Sequence, residues 1–227
     1  MKNIDILKVL QSRGATTFYH ANSVLTACTF LEAAALLSRG YVEKHKLKQT
    51  PQSSDQTDKK YGIWNDIFLD TVDIHDRARR KNHYGPVLLV LDVESVLNDK
   101  TLEGTLRITR ENPIHWSDGQ QPKDRYFETV EEFANSFSFG DFGKHFTFRP
   151  ESGKVPLAGR LNHILLDDPQ DSLGDANTFK VALQALKAAA SRGKIEVEIR
   201  KRQCRNECKC LDNYSAEQAS QKVMFAA

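Results

Sequence analysis

The sequence contains no apolar run that approaches the length of a bilayer-spanning helix, which excludes a transmembrane segment. Its start, Met1-Lys2-Asn3-Ile4-Asp5, has no apolar stretch behind a basic residue, so no secretory signal is expected and the chain is read as cytoplasmic. Neither a Walker loop nor a dinucleotide-type glycine loop occurs, and there is no His-Glu-x-x-His helix and no Gly-x-Ser-x-Gly elbow. The commonest nucleotide-binding and hydrolase classes are thereby removed. Excess charge is scarce too: 32 basic against 30 acidic residues leave a net charge of +2, too little to mark a nucleic-acid binder by itself. There are only 4 cysteines, and a cytoplasmic chain does not use them as a disulfide framework. Cys204, Cys208 and Cys210 with one distant histidine offer donors for zinc, but their spacing matches no paired zinc knuckle. No metal is assigned, and reduced terminal thiols are the preferred reading.

What is present is an ordinary globular composition, 40% hydrophobic and 27% charged, in 227 residues. That length suits one sizeable core, so one domain over 1–227 is expected, with a basic, Cys-containing C-terminal segment at about 194–227. Basic residues cluster at Arg77, Arg79, Arg80 and Lys81, and again at Arg200, Lys201, Arg202, Arg205 and Lys209. Each cluster reads either as a solvated face or as a phosphate-positioning surface.

Periodicity predicts a helix over 2–12, a strand over 16–21 and a helix over 24–36 capped by Ser23 and stopped by Gly40. The polar stretch 45–60 reads as a loop, and 61–69 as a strand or buried turn. Residues 86–92 form a continuous apolar run, which predicts a central strand covered on both faces. Further strands are expected at 104–109, 145–149, 164–167 and 195–199, and helices at 124–137 and from Asp175 to Arg192, closed by Gly193. Strands and helices without regular βαβ alternation point to an α+β fold.

The chemistry-bearing residues lie at strand ends. His20, in Phe18-Tyr19-His20-Ala21-Asn22, is either a hydrogen-bonded structural residue or a ligand contact. Asn22 and Ser23 precede a helix start, where free N–H groups cap the helix or bind an anion or carboxamide. Trp116, in Asn112-Pro113-Ile114-His115-Trp116, is either a stacking wall for a base or a core anchor. Asp70, Asp73 and His75 lie close in sequence without a partner cluster at metal-ligand spacing.

The Tyr-His-Ala-Asn strand, the helix that follows into Leu36-Leu37-Ser38-Arg39-Gly40 and the later alternating strands resemble the NAD-dependent ADP-ribosyltransferases, over about residues 15–170. The likeness is to bacterial toxins, paired with an antitoxin, that modify nucleic acids. It implies a split mixed β-sheet core with flanking helices, NAD as co-substrate, and an RNA or DNA base as acceptor in a toxin–antitoxin or phage-defence setting. Protein as acceptor, and a non-catalytic nucleic-acid-binding module, are the alternatives. By this resemblance His20 holds a ribose of NAD and the backbone at Ala21 grips the carboxamide. Asn22, Ser38, Arg39, Tyr61 and Trp64 complete the NAD site, the two aromatics as candidates for packing on nicotinamide. Arg149, Trp116, Arg79 and Arg80 are the acceptor-side candidates.

The family places a glutamate on a late strand, where a fixed anion stabilises positive charge as nicotinamide leaves. Here that strand reads His145-Phe146-Thr147-Phe148-Arg149, and the nearest glutamate is Glu151, in the next turn. Three readings stand: Glu151 reaches the cleft from the turn; His145 or Arg149 contacts NAD or phosphate while Glu128 or Asp66 supplies the acid; or the fold is kept without catalysis. The catalytic candidates are His20, Glu151 and His145.

Overall fold

The computed structural model describes residues 1–73, 75, 84–141, 143–170, 172–203 and 208–227. In chain order its strands are β1 (Thr17–Asn22), β2 (Ala35–Leu37), β3 (Ile67–Leu69), β4 (Val87–Asp92), β5 (Leu106–Ile108), β6 (Phe146–Phe148), β7 (Lys154–Pro156), β8 (Leu161–Leu166) and β9 (Glu198–Lys201). The helices are α1 (Asn3–Ser12), α2 (Val24–Glu32), α3 (Arg39–Lys44), α4 (Asp55–Lys60), α5 (Val93–Leu97), α6 (Pro122–Arg125), α7 (Val130–Ser136), α8 (Thr178–Arg192), α9 (Cys210–Ala216) and α10 (Gln218–Phe225).

The apolar run of β4 lies where such a run belongs, inside a four-stranded sheet of order β1-β4-β8-β9. β1, β4 and β8 pair antiparallel, and β9 joins β8 in parallel, so the sheet is mixed. A second, antiparallel sheet has the order β3-β6-β5, and β2 pairs with β7 as a ribbon. The two larger sheets meet at one backbone pair: Tyr19 N–H donates to Asp70 O at 2.7 Å, and Asp70 N–H returns to Tyr19 O at 3.0 Å. Beside that pair Phe18 packs on Phe146 and Phe148, with ring centroids 5.0 and 6.5 Å away. All three rings are fully buried, each contributing about 1.5–3 kcal/mol. This is the α+β class expected from the element pattern, with the split sheet that the resemblance implies.

Several boundaries differ from expectation. The first core helix stops at Glu32, because Ala34 turns into the left-handed region (φ 50°) and Ala35–Leu37 pair with β7. Alanine's helix preference is overridden by that tertiary pairing. Ser38 then caps a new helix, its hydroxyl accepting from Tyr41 N–H at 3.1 Å, so Arg39 and Gly40 start α3 rather than end α2. The stretch 45–60, read as loop, carries α4. The helix expected over 124–137 is split into α6 and α7, where the backbone at Tyr126 bridges to Thr109 and Thr129 caps afresh. Asp175 does not cap α8; its carboxylate accepts from Asn177 N–H, one turn ahead.

Candidate active site

A cleft of about 260 Å³ opens along the junction of the two larger sheets. Its walls are β1 from Tyr19 to Asn22, the stretch from Ile63 through β3 to Asp70, the start of α3, and α4 with the residues just before it. In β3 the alternation of the strand turns Ile67 and Leu69 into the core and leaves Phe68 half-buried, facing the cleft.

His20 lies on the same face of β1 as Phe18. Its Nδ1 is 2.6 Å from the carbonyl of Phe68. A carbonyl only accepts, so Nδ1 carries the proton and Nε2 keeps its lone pair. Burial, with the nearby charge of Arg39, outweighs that carbonyl bond and lowers the imidazole to about 4, so the ring is neutral at neutral pH. Nε2 is buried and, among the described residues, has no hydrogen-bond partner. Arg39 stands opposite as a donor. Its guanidinium meets both carboxylate oxygens of Asp55, at 2.7 and 2.8 Å, and the Thr50 carbonyl at 3.1 Å. Its Nε is buried and, among the described residues, without a partner. One residue pair of the cleft lining thus carries an unpartnered acceptor and an unpartnered donor, each with a desolvation penalty.

Ala21 adds backbone groups. Tyr19 bonds Asp70 on one side of β1, and alternation sends the N–H and C=O of Ala21 to that same side, toward the cleft. Trp64 closes one end, its ring 5.3 Å from the Arg39 guanidinium and 4.4 Å from Lys59, and its Nε1 donates to Glu43 at 2.7 Å. Gly40 permits this approach: a Cβ there would lie 2.0 Å from the Asn65 side-chain oxygen and 3.2 Å from the Trp64 ring.

His145 reaches the cleft from the residue before β6, its Nδ1 3.5 Å from Asp70. Burial lowers His145 to about 4, although Asp141 pulls the other way. Burial pushes Asp70 up to about 8 against the N–H groups of Val72 and Thr71, which bond its charged form. At neutral pH the pair is therefore a neutral imidazole beside a carboxylic acid, not an ion pair.

Of the residues singled out from the sequence, His20, Ala21, Asn22, Arg39, Trp64, Asp66, Asp70 and His145 line this cleft. Others do not, for visible reasons. Tyr61 donates its hydroxyl to the Trp116 carbonyl at 2.5 Å, and Trp116 is 5% exposed, packed on Tyr126 and Ile63; of its two readings, core anchor is the one realised. Ser38 is a helix cap, although its N–H also holds Gly153 O at 3.0 Å and so fixes the turn of Glu151 against the start of α3. Arg149 is spent on Asp66 and the Gly62 carbonyl. Glu151 is exposed in its turn, outside the cleft lining, as is Glu128 on the 127–129 connection. Asp66 does line the cleft, but its carboxylate is tied to Arg107, at 2.8 Å, and to Arg149. Arg79 and Arg80, with the rest of their cluster, lie outside the described residues, as does Cys204. In the second basic cluster Arg202 is buried between Asp167 and Asp73, Arg200 pairs with Glu198 and Lys201 with Asp168, so this stretch is largely neutralised rather than free for phosphate.

The sequence reading passed over Phe68, Tyr84 and the run Gln52-Ser53-Ser54 with Thr57 and Asp58, all of which line the cleft. Ser54, Thr57 and Asp58 stand at helical spacing (i, i+3, i+4), a signal masked by the loop-like composition around them. Burial pushes Asp58 up to about 6, with Ser54 and Arg39 opposing and Asp55 adding to the push. A second group is assembled by the fold: His75, Cys208 and Cys210, two of the three clustered thiols and a distant histidine, bring their donor atoms within 4.8 Å of one another although their spacing in the sequence matches no zinc knuckle.

This α+β split-sheet fold, with a cleft beside its first strand, is shared with a solved structure. A solved structure that shows the likeness is that of Thermus sp. 2.9 DarT in complex with ADP-ribosylated ssDNA, with a TM-score of 0.52 and 12% identity over 83% of this chain and 95% of that one. Structures of the same enzyme with NAD+ (TM-score 0.47, 13% identity, 82% and 96% covered) and with carba-NAD+ (0.48, 13%, 83% and 96%) align over similar spans. No protein-family model matches the sequence, and no curated protein matches it.

Proposed function

We propose that this chain is an NAD-dependent ADP-ribosyltransferase whose acceptor is a base of single-stranded nucleic acid, DNA in the first instance. The observation that carries the reading is the unpartnered pair in the cleft, His20 Nε2 as acceptor and Arg39 Nε as donor. A ribose hydroxyl satisfies the first and a phosphate oxygen the second. The backbone N–H and C=O of Ala21 match the acceptor and donor of a carboxamide. Phe68 and Trp64 offer aromatic surface to a flat ring. When bound, NAD supplies the ADP-ribose group, and nicotinamide leaves with the electron pair of the bond that breaks.

The acid facing the ribose has to be an anion at working pH. Asp70 is protonated there, and Asp66 is held by two arginines. Glu151 and Asp58 remain. Glu151 is the glutamate nearest to the strand on which the resemblance expects the acid, one turn beyond it, and that turn is bonded to the residue before Arg39. The choice of acceptor leans on the shared fold with DarT, whose structure contains ADP-ribosylated ssDNA. Reaction at a base nitrogen needs an unstacked, unpaired base, which a single strand offers cheaply. A chain that modifies its own host's DNA needs a neutralising partner, so an antitoxin belongs to the same reading. Among the described residues no helix is long and apolar enough to cross a membrane.

The test is incubation with labelled NAD and single-stranded DNA, RNA or protein in parallel. Label is expected on the single-stranded DNA, lost in Glu151→Gln and retained in Asp58→Asn. NAD at about 100 times its dissociation constant is expected to stabilise the fold by about 2.7 kcal/mol, an effect that His20→Ala removes. Absence of label on every acceptor, with no thermal shift by NAD, overturns the proposal.

A further inference from the structure

We propose that His75, Cys208 and Cys210 form a structural zinc site that fastens the C-terminal helices to the wall of the cleft. The three side chains come from segments far apart in sequence, yet their donor atoms lie within 4.8 Å of one another. His75 Nε2 is 3.2 Å from Cys208 Sγ. Tetrahedral zinc, with Zn–S of about 2.3 Å and Zn–N of about 2.0 Å, sets its donors about 3.5–3.8 Å apart, so only small side-chain rotations are required.

Independent support comes from the other side of the histidine. Its Nδ1 is 3.3 Å from Asp167 Oδ2, in a site where both partners are almost fully buried. Asp167 is itself fixed by Arg202 Nε at 2.6 Å and by the Tyr214 hydroxyl at 2.5 Å. A carboxylate of this kind holds Nδ1 as the donor and aims the Nε2 lone pair at the two sulfurs. Metal-binding histidines are oriented in the same way, by a carboxylate behind the ring. Two thiolates and an imidazole are the donor set of zinc rather than of magnesium or calcium, which take oxygen. Among the described residues three donors come together, and water or a further donor would complete the tetrahedron.

The placement gives the site a task. His75 lies five residues beyond Asp70 of the cleft wall, and Cys210 opens α9, whose Tyr214 packs on Phe225 of α10 with ring centroids 5.6 Å apart. Zinc therefore ties α9 and α10 to the chain that leaves the cleft.

Metal analysis of the full chain, purified without chelator, tests this directly. About one zinc per chain is expected, falling at least tenfold in the Cys208→Ser, Cys210→Ser double variant and unchanged in Cys28→Ser, whose thiol lies in α2. If the double variant does not fold, the unmodified protein still decides. After removal of metal, added Co²⁺ alone is expected to give a thiolate-to-cobalt charge-transfer band and to restore the melting temperature. Purified protein without zinc that shows neither response to Co²⁺, or a folded double variant that keeps its zinc, overturns the proposal.

Discussion

Asp70 carries a proton that an exposed aspartate would have lost. Its folded value of about 8 lies above its ordinary 3.8, so folding binds a proton across that window and stability falls as pH rises from about 4 to about 8. His20 and His145 work in the opposite sense. Their folded values of about 4 lie below the ordinary 6.5, so their contribution is present above 6.5 and is lost as pH falls toward 4. Asp58, raised to about 6, adds its own decline only below that value. Above pH 6.5 the loss from Asp70 stands alone among these cleft groups. Asp70→Asn should therefore flatten the fall in melting temperature between pH 6.5 and 8. Parallel curves for the variant and the unaltered protein would show that Asp70 is ionised in the fold.

Where helices meet, one glycine decides the spacing. α2 and α8 pack along their length, and the chain leaves α8 at Gly193, whose N–H still bonds Ala189 O at 3.0 Å. A Cβ at Gly193 would sit 1.9 Å from the Leu31 carbonyl oxygen, a backbone atom with no freedom to rotate away. Its φ of −79° suits any residue, so the requirement is for space alone. Gly193→Ala is expected to cost about 1–3 kcal/mol through displacement of α8 from α2. Urea denaturation checks it, and a change within about 0.5 kcal/mol, the range of an ordinary surface substitution, would refute the close approach. The helix and its closing glycine were legible in the sequence from the apolar period and the Arg192-Gly193 ending. That α2 ends at Glu32 was not, because alanines at 33–35 suit a helix and only the partner strand at 154–156 draws them out.

For the molecule as a whole, the C-terminal third is held by a buried charge network rather than by apolar packing alone. Arg202 joins Asp167, at the end of β8, to Asp73, and its side chain is 3% exposed. Each charge was costly to desolvate, and loss of one partner strands the others. Arg202→Met is expected to cost about 3–5 kcal/mol and to expose the amides of α9 and α10 to hydrogen exchange before those of β1, β4 and β8. Unchanged exchange in those helices would show that the network does not dock them. In the sequence Arg202 looked like one more member of a basic run, since nothing local distinguishes it from Arg200.

The local patterns alone determined the α+β class, the central strand at β4, the strand that carries Phe146 and Phe148 and the position of His20 on the first strand. Each follows from periods of 2 and 3.6 residues, which are properties of neighbours along the chain. Tertiary structure decided which polar residues face the cleft. Tyr61 and Trp116 were as aromatic as Phe68, and Arg149 as cationic as Arg39, but pairing across the two sheets turned the former into core and ion pair and left the latter at the opening. The same is true of His75 and the two terminal cysteines. They lie 133 and 135 residues apart in sequence and share one site only because β9 returns the chain beside β8. Burial, charge neutralisation and donor–acceptor matching are sums over such distant neighbours, and no local period encodes them.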